Sequence, residues 1–183
     1  MKFVPDSKPQ ITIDKAMSIL EKKGLDPKSK LCILGVRGYY LDTMGEPGKN
    51  DRQIYDDAII ILGPECFQTF NANTDPGYFR KGIANLKAGV WSYKVGTHGL
   101  NKPKDKQYTA LVQAAKVTVI RDEVGPDTGM FGINIHRGGI SAVSSLGCQT
   151  IHPNQWPSFI ETVKSQLKKL NQPVVQYCLI EQE

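Results

Sequence analysis

A chain of 183 residues, 40% hydrophobic and 22% charged, is long enough to bury one sizeable core and too short for two large domains, so residues 1–183 are expected to form a single domain. Its 17 glycines and 11 prolines favour turns and short strands over a helical bundle. The 23 basic and 18 acidic side chains leave a net charge of +5 that is scattered, not gathered into the stripe a nucleic-acid-binding surface uses.

No apolar run approaches the ~20 residues of a membrane span, and the first ten positions lack the apolar core of a signal peptide. Ile13, Met17 and Leu20 recur at helical spacing, which predicts a helix over Thr12–Lys23 ended by Gly24. The aliphatic runs Leu31–Val36 and Ala58–Leu62 read as strands. The polar connection Gly38–Asp57, with Asp42, Asp51, Asp56 and Asp57, reads as a solvated loop whose aspartates cap turns. Asn71 and Asn73 are likewise assigned to turn chemistry.

Val90–Val95 and Val117–Arg121 predict further strands. Asn154 as N-cap, Pro157 in the first turn and the stripe Ile160, Val163, Leu167 and Leu170 predict an amphipathic C-terminal helix. Pro173 ends it, and Val174–Ile180 forms a last strand. The fold class is therefore mostly β (α+β), with N-terminal and C-terminal helices flanking the strands.

The four cysteines Cys32, Cys66, Cys148 and Cys178 contain no C-x-x-C pair, so neither a zinc site nor a disulfide framework is expected. Cys32 and Cys178 sit in apolar runs and read as core, and Cys66 follows a turn. Cys148 stands in Ser145-Leu146-Gly147-Cys148, 148 − 136 = 12 positions after His136. Alternation puts Phe131, Ile133 and Ile135 on one strand face and Asn134 and His136 on the other. A strand-loop-strand return then brings imidazole and thiol together. A free thiol is only a few per cent ionised at neutral pH, so an adjacent base is what turns it into a nucleophile. Backbone N–H groups near Gly147 and Cys148 are candidates for an oxyanion site.

The strand ending in Ile135-His136, the Gly138-Gly139 turn and Ser145-Leu146-Gly147-Cys148 resemble the catalytic signature of the L,D-transpeptidase (YkuD-type) family over about residues 132–150. The resemblance implies a β-sandwich or barrel and a thioacyl-enzyme mechanism on peptidoglycan stem peptides. It makes Cys148 the nucleophile, His136 the general base and acid, and Gly147 part of the catalytic turn. The Arg137 carbonyl would orient the imidazole, and Arg137, Ser145, His98 and Tyr93 are the expected substrate-side residues. The chain departs from the family at Leu146, where histidine is usual, and at Gln149-Thr150, where Ile-Arg is usual. With that arginine missing, Arg37, Arg121 and Arg137 are the candidates to hold a substrate carboxylate.

The expected activity is that of a cell-wall hydrolase, an L,D-carboxypeptidase or endopeptidase. Transpeptidase cross-linking, a protein-directed cysteine peptidase and a non-catalytic wall-binding module are the alternatives. Neither cofactor nor metal is expected. The chain is expected to be made in the cytoplasm and to reach the bacterial wall by phage lysis or as a secreted effector, with an immunity or delivery protein as its protein partner and no nucleic acid or membrane.

Overall fold

The computed structural model describes residues 2–182. Helix α1 (Ile13–Lys22) starts where the Thr12 side chain accepts the Lys15 N–H at 3.3 Å, satisfying one of the free donors of the first turn. Lys23 is its C-cap, and Gly24 after it adopts the left-handed conformation that closes the helix.

Eleven strands follow or flank it: β1 (Cys32–Arg37), β2 (Asp57–Gly63), β3 (Cys66–Asn73), β4 (Ala84–Leu86), β5 (Gly89–His98), β6 (Tyr108–Gln113), β7 (Val117–Arg121), β8 (Gly125–Gly129), β9 (Ile135–Arg137), β10 (Gln149–Ile151) and β11 (Val175–Glu181). Strand makes up 35% and helix 15% of the chain, so it is mostly β. The strands form a closed barrel in the order β1-β11-β5-β6-β9-β10-β3-β2, with β4-β7-β8 as a separate small sheet. Closure removes free sheet edges.

Alternation divides the core in two. Ile33, Ile59 and Ile61 join Phe70, Tyr93 and Tyr177 in one buried cluster, together with Phe159, Val163 and Leu167 of α2 (Trp156–Lys169). Cys32, Leu34, Ile60, Leu62 and Cys178 point the other way and are covered by Ala16 and Leu20 of α1. Each helix therefore seals one face of the β1, β2 and β11 strands, and Cys32 and Cys178 are the small apolar fillers their context predicts.

Four sequence expectations are corrected. Helix α2 begins with Gln155, not Asn154, at the N-cap, because the His152 carbonyl already accepts the N–H groups of Gln155 and Trp156 at 2.9 and 3.1 Å. Asn71 and Asn73 are not turn residues but lie buried in β3, where Asn71 pairs with Ala58 and accepts the Tyr40 hydroxyl at 3.0 Å. Asp56 and Asp57 are fully buried, not solvated. Asp57 accepts the N–H groups of Gly38 and Thr74, both at 2.5 Å, and thereby ties the end of β1 to the end of β3. Its carboxyl is held above the usual range, first by burial and then by Asp75. Finally, the strand carrying His136 starts only at Ile135. Phe131 and Ile133 give their N–H groups to the Gln113 side-chain oxygen, both at 3.1 Å, instead of to a neighbouring strand.

Candidate active site

The site forms where the barrel closes. Strand β6 meets β9 through one residue pair, Leu111 with Ile135, and β9 runs parallel to β10 with Thr150 opposite His136. In that register Cys148 falls one residue before the β10 ladder, beside Asn134, whose N–H points at the Cys148 sulfur at 3.4 Å. Asn134, His136 and Cys148 thus share one face, and Ile135 and Ile151 bury the other in the core. Cys148 and His136 line one open cleft of ≈ 530 Å³ with His98, Lys102, Asn134 and Leu146.

The turn that presents Cys148 is built around Ser145. Its hydroxyl accepts the Gly147 N–H at 3.0 Å and donates to the Cys148 carbonyl at 2.7 Å. Gly147 is left-handed, and a Cβ there would stand 2.5 Å from the Ala84 carbonyl oxygen, so only glycine fits. Two expectations change as a result. Ser145 is buried with its hydroxyl committed inside the turn, which casts it as the residue that positions Cys148. The Gly147 N–H is spent on Ser145, whereas the Cys148 N–H has no partner among the described residues.

His136 is 4% exposed. Its Nδ1 lies 2.8 Å from the Arg137 carbonyl oxygen. A carbonyl only accepts, so Nδ1 carries the proton and Nε2 is left as the base. The Tyr108 hydroxyl stands 3.3 Å from the same nitrogen. His98 stacks on His136 with ring centroids 4.1 Å apart and accepts the Asn134 amide N–H at 3.2 Å. Burial first, and then the His98 neighbour, lowers the His136 pKa to about 4. Burial pushes the Cys148 thiol up, partly opposed by the Asn134 N–H and by Lys102. The resting pair is therefore neutral thiol and neutral imidazole.

The remaining candidates separate cleanly. His98 is on the cleft wall. Tyr93 is not: it is fully buried and packs edge-on against Tyr177 at 5.7 Å, so it cannot touch a substrate in this structure. Its hydroxyl has no hydrogen-bond partner among the described residues. Arg37 is a structural residue, buried against Asp75 at 3.0 Å and donating to the Thr74 and Leu86 carbonyls. Arg121 is taken by Asp127 at 2.8 Å. Arg137 is exposed and its guanidinium lies 5.1 Å from the Tyr108 ring centre, at the margin of the site.

His152 packs edge-on against Tyr55 and is structural. Lys102, Tyr108 and Asn134 belong to the site but carry no sequence motif; Asn134 alone had a legible signal, its strand alternation with His136. Among the described residues no group of three or more His, Cys, Asp or Glu side chains is arranged to hold a metal ion, and no helix is long and apolar enough to cross a membrane. Comparison of the chain with protein-family models, with curated proteins and with solved structures finds no match.

Proposed function

We propose that this chain is a cysteine-dependent hydrolase of bacterial cell-wall stem peptides, an L,D-carboxypeptidase or endopeptidase on an L,D-transpeptidase-like plan. What supports the reading is the Cys148–His136 cleft with the imidazole held as its Nδ1–H tautomer by the Arg137 carbonyl. In the proposed reaction Nε2 takes the thiol proton as sulfur attacks the peptide carbonyl carbon. The C–N bond breaks as His136 returns that proton to the leaving amine, giving a thioester at Cys148. Water, deprotonated by the same nitrogen, then releases the acid and restores the thiol. Because the resting pair is neutral, proton transfer accompanies attack instead of preceding it. The free Cys148 N–H is the donor for the developing oxyanion.

A second reading, a non-catalytic wall-binding module, is favoured by the raised thiol and by the Gly147 N–H already committed to Ser145. Mass spectrometry of muropeptides incubated with the protein and with Cys148→Ala separates the two. Shortened stems or split cross-links that vanish in the variant support hydrolysis, and new cross-links support transpeptidation. Fragments left unchanged by both proteins would sink the enzymatic reading.

A further inference from the structure

We infer that Lys102 makes the Cys148 cleft a receptor for a free carboxylate carried close to the carbonyl the thiol attacks, so that the preferred substrate is a peptide cut next to its C-terminal residue. The inference deepens the hydrolase reading above and names its specificity residue.

No aspartate or glutamate lines the cleft, whereas Lys102 does. Lys102 makes no ion pair among the described residues. Its charge reaches the reacting groups, lowering the pKa of Cys148, His98 and His136 alike. The loop that carries it is well defined. The Lys102 N–H donates to the Gly99 carbonyl at 2.7 Å, and the Gln107 side chain donates to the Lys102 carbonyl at 2.9 Å. The Lys102 stem lies over Gly99, where a Cβ would come within 3.3 Å of its Cδ, so the absence of a side chain at 99 leaves room for the lysine to lie across the cleft wall. Of the three arginines that the sequence offers for this task, Arg37 and Arg121 are paired elsewhere and Arg137 lies outside the cleft lining. An unpaired ammonium on the wall of the cleft that holds the thiol, with no acid lining that cleft to neutralise it, selects for an anion in the same space.

Alkylation at Cys148 by iodoacetate and iodoacetamide, read by peptide mass spectrometry on the intact protein at low ionic strength, tests the electrostatic part. In both reactions sulfur displaces iodide, a C–S bond replaces the C–I bond and the thiol proton leaves to solvent, so the rate ratio isolates the reagent's charge. Lys102→Met is expected to lower the iodoacetate to iodoacetamide ratio about fivefold, and Lys102→Glu to lower it further. Lys23→Met, beside α1 and away from the cleft, is expected to leave it unchanged. Stem peptides ending in a free carboxylate or in the amide then test specificity.

A ratio indifferent to both Lys102 variants overturns the inference. So does equal cleavage of the two peptides by the wild-type protein. A fallen ratio, with a preference for the free acid that Lys102→Met abolishes, supports it. A fallen ratio with neither peptide cleaved upholds Lys102 as the anion receptor and overturns the hydrolase reading instead.

Discussion

Replacing Ser145 by alanine removes one oxygen atom and leaves two backbone groups without a partner. The Ser145 hydroxyl is the acceptor for the buried Gly147 N–H at 3.0 Å and the donor to the Cys148 carbonyl at 2.7 Å. A neutral hydrogen bond is worth about 1 kcal/mol net, and a buried group left unsatisfied costs about 1–3 kcal/mol. The hydrogen bond from the Gly147 N–H is buried, whereas the one to the Cys148 carbonyl is only part-buried, so water can replace the hydroxyl there. We therefore expect a loss near the lower end, about 2 kcal/mol, or roughly 4–8 °C in Tm for a chain of this size. Urea unfolding of Ser145→Ala against the wild-type protein measures it. The same samples, alkylated with iodoacetamide, report whether the thiol has lost its setting: a turn without its central hydroxyl presents Cys148 in several orientations, and the rate should change at least twofold. A variant within about 0.5 kcal/mol of wild type and with an unchanged alkylation rate would refute the role given to Ser145.

Two further outcomes follow from buried charge. The His136 imidazole titrates at about 4 in the folded chain, against about 6.5 for a free imidazole, so between those pH values the unfolded chain binds the extra proton. Its contribution to stability is complete above pH 6.5 and is lost as pH falls toward 4, by about 3 kcal/mol in all. His136→Phe should flatten that part of the acid stability curve measured by urea titration at pH 4.5 and 7.5; an unaltered slope would count against it. Arg37→Met leaves Asp75, the Thr74 and Leu86 carbonyls and the Asn85 side-chain oxygen without their cation. It should destabilise the fold by about 3–5 kcal/mol in denaturant unfolding, and a loss under about 1 kcal/mol would show that the ion pair is not what binds β1 to the β3 end and to β4.

Short-range signals on the chain determined a good part of this protein. Thr12 and Gly24 bound α1, the stripe from Ile160 to Leu167 makes α2, and the aliphatic runs of β1, β2, β7 and β11 are strands because periodicity and capping act within a few residues. That His136 and Cys148 line one cleft was legible from the serine-glycine turn before the cysteine and a strand end at the histidine, although the alternation read before the histidine is strand only from Ile135. What tertiary structure alone decided concerns groups whose partners are distant in sequence. Asn71 looks like a turn residue until β2 and Tyr40 satisfy it inside a strand, and Asn73 until β10 pairs with it there. Asp57 looks solvated until Gly38 and Thr74 enclose it. Tyr93 belongs to the core because β11 brings Tyr177 against it, and Arg37 is structural because Asp75 meets it. Lys102 joins the cleft only because β6 pairs with β9 in the barrel, which sets the loop between β5 and β6 beside His136 and Cys148. A sequence records what a side chain is able to bond; which partner it meets, and whether water remains, is settled by burial, and burial is a property of the whole barrel.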